Sequence, residues 1–141
     1  MSDNPANALR FNVVIDGHDL GAFTGLDGLN AEYEVISYQE GGENGFVHQL
    51  PGRLSYGQIK LTRPVDLRSR ALGAWFQLLA KGVSTRRYTA TVVAFDDNGD
   101  PVTEWTFTDV WPVRYAGPSF SADTAKVAIE TFEFAHGGLL T

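Results

Sequence analysis

The sequence of 141 residues contains no cysteine. This absence excludes a disulfide framework, a thiolate metal site and redox chemistry at sulfur. Basic residues are outnumbered, because 11 lysines and arginines stand against 17 aspartates and glutamates and give a net charge of −6. Nucleic-acid binding usually needs a basic stripe, so this balance disfavours specific nucleic-acid binding. We expect the clustered arginines to be solvated or interface charges at strand and helix ends: Arg63, Arg68, Arg70, Arg86 and Arg87.

Long apolar runs are also missing. No stretch approaches the roughly 18 apolar residues of a membrane-spanning helix. Residues 1–12 lack the basic and apolar regions of a secretory signal. We therefore expect no membrane insertion, and a protein that is made and kept in the cytosol unless a larger assembly carries it out. We interpret residues 1–8 as a flexible N-terminal arm and residues 1–141 as a single domain.

Motifs for catalysis, metals and cofactors are missing as well. The three histidines have no paired-ligand spacing, and the acidic run at 96–100 lacks the ligand spacing of a calcium loop. The glycines at 41–45 are not followed by a phosphate-loop lysine. Glu130 and Glu133 lie an odd number of strand positions apart, so their side chains should point to opposite faces. We predict no enzymatic activity, no metal and no cofactor.

The sequence does contain the alternation of apolar and polar residues that is typical of half-buried strands. It is clear in 9–15, where Phe11, Val13 and Ile15 share one face. Asp16-Gly17 and Asn98-Gly99 should supply positive-φ positions for tight hairpin turns. Together with further strand patterns along the chain, these features predict a mainly β (α+β) fold. We expect an antiparallel β-sandwich or barrel of about six to eight strands, with one helix packed on it.

That helix is predicted over about residues 67–81. Asp66 is a suitable N-cap, and Gly82 suits the position after the last turn. Gly73, in the middle, should let the helix approach the sheet closely. Apolar residues recur at three- to four-residue spacing, which is typical of an amphipathic helix. We expect the following residues to pack against the sheet: Leu67, Ala71, Trp75, Leu78 and Leu79.

The segment from about residue 38 to 56 is predicted to be a long extended loop. Loops of more than about 12–15 residues are uncommon inside compact domains and are usually functional or disordered. This segment also carries more apolar residues than a flexible linker does. We therefore predict an attachment loop that is buried against another copy of the chain or a partner. Its residues are Tyr38, Glu40, Gly41, Gly42, Phe46, Val47, Leu50, Pro51, Gly52 and Arg53.

Several motifs occur in an order that resembles a known family. The ordered set is Gly25-Leu26, Glu32 and Glu34, Tyr38-x-Glu40-Gly41-Gly42, Leu50-Pro51-Gly52, Lys60-Leu61-Thr62-Arg63, Asp66 and Trp75. From about Phe11 to Phe134 the chain resembles the tail tube proteins of contractile phages and of extracellular contractile injection systems. This phage T4-like tail tube family is related to the type VI secretion tube subunit. The chain departs from it at Pro64, where the family often has glycine.

The resemblance implies a structural role without catalytic residues. Family members form hexameric rings whose sheets join edge to edge into a continuous inner barrel, and the rings stack into a hollow tube. A sheath contracts around the tube and drives it through a target envelope. The implied partners are further copies of the chain, the sheath protein, baseplate and tube-terminating proteins, and a cargo of effector protein or DNA in the lumen. The resemblance also implies production in a bacterial cytoplasm and assembly into a tail-like particle.

The alternative is a monomeric β-barrel that binds a small ligand or carbohydrate. Several aromatic residues in the C-terminal third could then form a stacking platform: Trp105, Trp111, Tyr115 and Phe120. Their alternation along a strand favours packing in the core. A ligand-binding module would stay monomeric at every concentration, whereas a tube subunit would associate.

Overall fold

The computed structural model describes residues 9–38, 48–65, 69–81, 87–117 and 128–140. Strands dominate these ranges, their pairing is antiparallel and one helix accompanies them, which confirms the predicted fold class. The predicted N-terminal arm at 1–8 lies outside them. In chain order the elements are β1 (Arg10–Ile15), β2 (His18–Phe23), β3 (Gly25–Asp27), β4 (Ala31–Tyr38), β5 (His48–Tyr56), β6 (Ile59–Pro64), α1 (Ser69–Lys81), β7 (Tyr88–Phe95), β8 (Pro101–Ala116), β9 (Ile129–Ala135) and β10 (Gly138–Leu140).

The main sheet curls round on itself to form a barrel. In the described residues it has eight strands, in the order β2-β1-β7-β8-β9-β6-β3, with β10 beside β8. The two ends of this order, β2 and β3, are separated in the chain only by Thr24. The Thr24 N–H donates to the carbonyl of Thr62 at 2.9 Å. The two end strands of the sheet are therefore consecutive in the chain, and the chain bends between them at Thr24. The core fills the interior of the barrel.

Inward-facing side chains alternate along the strands and fill the barrel. In β1, Val13 and Ile15 are buried and Phe11 packs against the core, as the alternation predicted. Aromatic rings occupy the centre, where Phe107 and Phe134 meet edge to face with centroids 5.5 Å apart. Buried hydrophobic residues on the other strands include Phe23, Ile59, Leu61, Val92, Val110 and Phe132.

Of the two predicted tight turns, the first has the expected backbone conformation and the second has it only in part. Asp16-Gly17 has φ values of 50° and 82° and connects β1 to β2 as predicted. In the turn between β7 and β8, Gly99 has a φ of 82°, but Asn98 does not have a positive φ, so that part of the prediction was wrong. Instead, Asp96 Oδ1 accepts the N–H groups of Asn98 at 2.9 Å and Asp100 at 3.0 Å. The Asp96 carboxylate is thus held by the backbone of its own turn.

The helix forms, but with a different stripe facing the barrel. Leu72 is buried, and Trp75 and Phe76 pack against the core. These residues share one side of the helix because each successive residue turns by about 100° around the axis. Leu78 lies about 200° beyond Phe76 and is 59% exposed, so its predicted place in the core was wrong. Outside the described part of the chain are Leu67 and the side chains of Ala71 and Leu79.

Gly73 lies where α1 meets β8. A Cβ atom at this position would be 3.4 Å from the ring of Tyr115, which is ordinary contact distance. The helix backbone therefore approaches the sheet closely, as predicted. The Trp75 ring makes a T-shaped contact with His18 at a centroid distance of 5.4 Å, so it packs over the start of β2.

Replacing Leu72 by alanine should lower the free energy of unfolding by about 2–5 kcal/mol, because it leaves a cavity between helix and barrel. The matched control is Leu78→Ala in the same helix. This exposed side chain should change the free energy by less than about 0.5 kcal/mol. Urea unfolding of the subunit, followed by tryptophan fluorescence, measures both values. Equal losses would contradict the orientation of the helix described above.

Arg63 and Glu130 form an ion pair inside the barrel. They are 3% and 0% exposed, and Arg63 Nε lies 2.6 Å from Glu130 Oε1. Arg63 Nη1 donates to the carbonyl of Leu20 at 2.8 Å, and the Tyr115 hydroxyl donates to Glu130 Oε2 at 3.2 Å. The guanidinium also lies 4.6 Å from the centre of the Phe23 ring. The expectation that Arg63 is a solvated or interface charge was wrong, because the pair between β6 and β9 is buried and finds further partners on β2 and β8.

Glu130 and Glu133 point to opposite faces of β9, as their spacing predicted. Glu130 faces the core, whereas Glu133 accepts a hydrogen bond from Arg114 Nη1 at 3.1 Å on the outer face. Burial raises the pKa of Tyr115 above its ordinary value, and the charge of Glu130 raises that pKa further. The phenol therefore stays protonated as a donor to Glu130.

Candidate assembly interface

Residues 31–38 and 48–56 form an antiparallel pair of strands, which we call the long hairpin. Its strands, β4 and β5, pair from Ala31 opposite Tyr56 to Tyr38 opposite His48. In the described part of the chain no strand of the main sheet pairs with them. Every residue of β4 is exposed. An isolated hairpin is only marginally stable in water, so this one needs a surface to pack against.

The predicted extended loop at 38–56 is therefore largely a strand. From His48 onward it pairs with β4, and only 39–47 remain between the strands, outside the described residues. Pro51 and Gly52 make this stretch resemble a turn in the sequence. They are tolerated because β5 has one described strand neighbour and its register shifts between Tyr33 and Val35, which is typical of a bulge.

One face of the long hairpin is apolar along most of its length. Tyr33 is 57% exposed, Val35 61% and Leu54 37%. Tyr33 lies opposite Leu54, and Val35 lies opposite Pro51, so these side chains form one continuous patch. We call this patch the Tyr33 face. Contiguous exposed apolar surface of this kind marks a protein interaction site.

The opposite face is charged near the barrel and apolar near the tip. Glu32 and Glu34 occupy the part nearest the barrel, and Ile36 and Leu50, which pair directly, lie closer to the tip. Beyond them, Tyr38 and His48 stack with ring centroids 5.3 Å apart. Around Val35 and Ile36 the hairpin is therefore apolar on both sides, while Ser37 opposite Gln49 adds a polar pair to the Tyr33 face beyond them. Apolar residues on both faces are typical of an element that is inserted between neighbours.

The structure places the predicted attachment residues unevenly. Leu50 is exposed on the long hairpin, and Tyr38 is exposed and stacked, so both are available for contact. A Cβ atom at Gly52 would lie 3.0 Å from Ile36 Cδ1, which explains the need for a small residue there. Arg53 is exposed beside the bulge. The remaining predicted residues lie outside the described ranges: Glu40, Gly41, Gly42, Phe46 and Val47.

The prediction missed the strongest part of the surface, which lies on β4. Tyr33, Val35 and Ile36 are among the most exposed large hydrophobic residues of the described chain. Their alternation is visible in the sequence as one of the further strand patterns. Apolar residues occur on both faces of this strand, with Tyr33 and Val35 on one and Ile36 on the other. Such a pattern predicts a strand that is covered on two sides.

The base of the long hairpin is fixed to the barrel. The Tyr56 ring lies 4.9 Å from the ring of His136, which in turn lies 4.7 Å from Phe107 in the core. Gly57 N–H donates to the carbonyl of Asn30 at 3.2 Å, where the two strands leave the barrel. These contacts set the direction in which the hairpin projects, so its apolar faces are held out from the barrel.

Stability should fall as the pH is lowered from about 7.5 to 5.5, because burial lowers the pKa of His136 below its ordinary value. Its Nδ1–H donates to the Gly138 carbonyl at 3.1 Å, which opposes the shift only in part. The unfolded chain then binds the proton more readily, so the stabilisation is present above pH 6.5 and is lost as the pH falls through the folded-state pKa. Thermal unfolding of the subunit across this range measures the slope. His136→Gln removes the titration, and an unchanged slope in this variant would contradict the assignment.

The described residues were also searched for a metal site, a membrane-spanning helix and the aromatic platform of the alternative ligand-binding module. Within the described residues, no three potential ligands from His, Asp and Glu cluster for a metal ion, and no helix is long and apolar enough to cross a membrane. Trp105 and Tyr115 pack against the core, while Trp111 is partly exposed, so these rings form no common platform. Phe120 lies outside the described residues.

Comparison with known proteins gives a consistent result. The family described as T4-like virus tail tube protein gp19 matches residues 7–140. A search of curated proteins found no match. Among solved structures, the chain is similar to one in the cryo-EM structure of the anti-feeding prophage baseplate, 6-fold symmetrised. The identity is 24%, the TM-score is 0.76, and the match covers 99% of this chain and 95% of that chain.

Two further structures share the fold. One is a chain of the sheath–tube complex of the extracellular contractile injection system PVC in its extended state, with 20% identity, a TM-score of 0.72 and coverage of 93% and 86%. The other is Hcp1 from Flavobacterium johnsoniae, with 16% identity, a TM-score of 0.51 and coverage of 93% and 98%. The family match spans nearly the whole chain, and the barrel with its projecting hairpin agrees with it. The chain therefore belongs to the T4-like virus tail tube protein gp19 family and is a tail tube subunit.

Proposed function

We propose that copies of this chain assemble into hexameric rings, and that these rings stack into the hollow inner tube of a contractile injection system or phage tail. The observation that carries this proposal is the long hairpin, which exposes large apolar side chains on both of its faces. Family membership and the 6-fold symmetrised structure with a similar chain support the ring. A contact between unlike surfaces, repeated around an axis and along it, builds rings and then a tube.

In this assembly the long hairpin is the attachment segment between rings. The eight residues of β4 extend over about 26 Å at the usual rise per strand residue. That length lets the hairpin leave its own barrel and reach the next ring. Tyr33, Val35 and Leu54 then become buried against a neighbouring subunit, and the tip with Ile36 and Leu50 is covered from the other side.

The partners follow from the complexes in which similar chains occur. These complexes include a baseplate, a sheath–tube complex and a tube-terminating cap. We propose that this tube likewise begins on a baseplate, ends at a terminating protein and lies inside a sheath whose contraction drives it through a target envelope. A net charge of −6 per subunit disfavours tight nucleic-acid binding, so effector protein or DNA could pass through the lumen.

The same proposal covers the remaining properties of the subunit. Residues 1–141 act as a single tail-tube domain, with 1–8 as a flexible arm. The subunit has no catalytic function and uses no metal or cofactor. It is made in the cytoplasm of the producing bacterium and becomes part of a tail-like particle there.

Multi-angle light scattering across a hundredfold range of protein concentration tests the proposed self-association. A tube subunit should show a mass that rises with concentration, towards hexamers and larger species, because its attachment surface is complementary to another copy. The competing ligand-binding module would keep the mass of one chain throughout. Repeating the measurement with baseplate proteins present distinguishes a subunit that needs a template from one that does not associate.

A further inference from the structure

Four charged residues of alternating sign form a row across the outer face of the barrel. Asp27 lies opposite Lys60 in the pairing of β3 with β6, and Lys60 lies opposite Glu133 in the pairing of β6 with β9. Glu133 lies opposite Arg114 in the pairing of β9 with β8. Residues directly opposite each other in antiparallel strands share a face. The order across the four strands is therefore negative, positive, negative, positive.

The row lies on the side of the sheet that faces away from the core. On β6 the neighbours of Lys60, Ile59 and Leu61, are fully buried, so Lys60 points outward. Arg114 Nη1 lies 3.1 Å from Glu133 Oε2, and the Arg114 side chain is 62% exposed. Asp27 is exposed as well. Each interior member of the row thus lies between two residues of opposite charge.

The two ends of the row lie on strand edges that have no paired neighbour among the described residues. Within the described ranges, β3 pairs only with β6, and residues 111–116 of β8 pair only with β9. One edge therefore presents the carboxylate of Asp27 and the other presents the guanidinium of Arg114. Open edges invite pairing with another chain. These two edges carry opposite charges at the same level of the sheet.

We propose that Arg114 of each protomer lies against Asp27 of the next protomer in the ring, so that the alternation of charge continues around the whole ring. This inference rests on the proposed function, because it needs a ring. A second copy fits the edge since the last charge of one row is complementary to the first charge of the next. Opposite charges on adjacent strands stabilise the pairing, and like charges destabilise it. The row thereby sets the register in which neighbouring barrels join.

Cysteine cross-linking tests this placement, because the chain has no cysteine of its own. In the variant Asp27→Cys/Arg114→Cys the two cysteines of one chain are three strand spacings apart, about 14 Å. A disulfide requires Cα atoms less than about 7 Å apart, so any bond must join two chains. Oxidised tubes should give a covalent ladder up to the hexamer on a non-reducing gel. Either single variant should stop at the dimer or below.

A second double variant controls for random collision. Asp27→Cys/Asp97→Cys carries its second cysteine in the exposed turn between β7 and β8. It should give no ladder beyond the dimer, and an equal ladder would overturn the contact. Tubes of the first variant that give no ladder would also overturn it, while leaving the proposed function in place. Failure of the unaltered chain to form tubes, with and without baseplate proteins, would overturn the proposed function itself.

If the two cysteines prevent assembly, the variant Asp27→Asn tests the proposed contact between Arg114 and Asp27. Asparagine removes the charge but keeps an acceptor for the Gly28 N–H, which Asp27 Oδ1 binds at 2.8 Å. At low salt, Asp27→Asn should need a higher protein concentration than the unaltered chain to form tubes. The affinity of each contact between neighbouring protomers should fall by up to about fivefold, as for the loss of an exposed ion pair. The difference should disappear at about 1 M salt, where such charges are screened. Equal assembly of both proteins at low salt would overturn the pairing.

Discussion

Replacing Tyr33, Val35 and Leu54 together by serine is expected to abolish ring stacking while leaving a folded subunit. These side chains are exposed in the subunit, so the barrel core does not depend on them. In the proposed tube they are buried against a neighbour, and burying a large apolar side chain stabilises by about 1.5–3 kcal/mol. Losing three such contacts should weaken association between subunits by at least about a hundredfold. Electron microscopy and light scattering measure the loss of tubes.

The controls distinguish a loss of subunit association from a loss of folding. Circular dichroism and thermal unfolding of the triple variant should match those of the unaltered subunit. Leu78→Ser, which exchanges an equally exposed apolar residue on α1, should leave tube formation intact. Normal tubes from the triple variant would mean that the Tyr33 face is not the attachment surface.

The second large effect is expected in the barrel. Glu130→Ala should lower the free energy of unfolding by about 3–5 kcal/mol, because it leaves the buried guanidinium of Arg63 without its counter-charge. The Tyr115 hydroxyl loses its acceptor at the same time. Domains of this size are stable by only about 5–15 kcal/mol, so the variant should unfold at a much lower urea concentration.

Two further variants establish the cause of that loss. Arg63→Met/Glu130→Leu removes both charges and should recover most of the stability, since a buried ion pair exchanged for apolar side chains is often neutral. Glu133→Ala, on the outer face of the same strand, removes a partly exposed pair and should cost less than about 1 kcal/mol. A double variant as unstable as Glu130→Ala would show that the uncompensated charge is not responsible.

Local sequence patterns predicted those parts of the fold that depend on local physics. The alternation in β1 identified the buried face with Val13 and Ile15, and Asp16-Gly17 identified its turn. The ordered motifs identified the family. The strand and the turn depend on residues that are close together in the sequence. The family depends on the order of motifs along the whole chain.

The rest depended on partners that are distant in sequence. Arg63 resembles a strand-end surface charge until Glu130, 67 positions later, is brought beside it. Leu78 and Phe76 are both compatible with an amphipathic helix, and only the position of the barrel decides which one faces the core. Pro51 and Gly52 suggested a loop, whereas pairing with β4 makes a strand. The proposed attachment surface has its expected partner in another copy of the chain, which the sequence of one chain does not place.

Negative-stain electron microscopy of the unaltered protein, expressed alone and together with baseplate proteins, tests self-assembly most directly. Six-fold rings stacked into hollow tubes are the expected result, because the apolar long hairpin leaves the isolated subunit with unburied adhesive surface. Particles that remain monomeric under both conditions, at high concentration, would contradict the assembly of this chain into a tube.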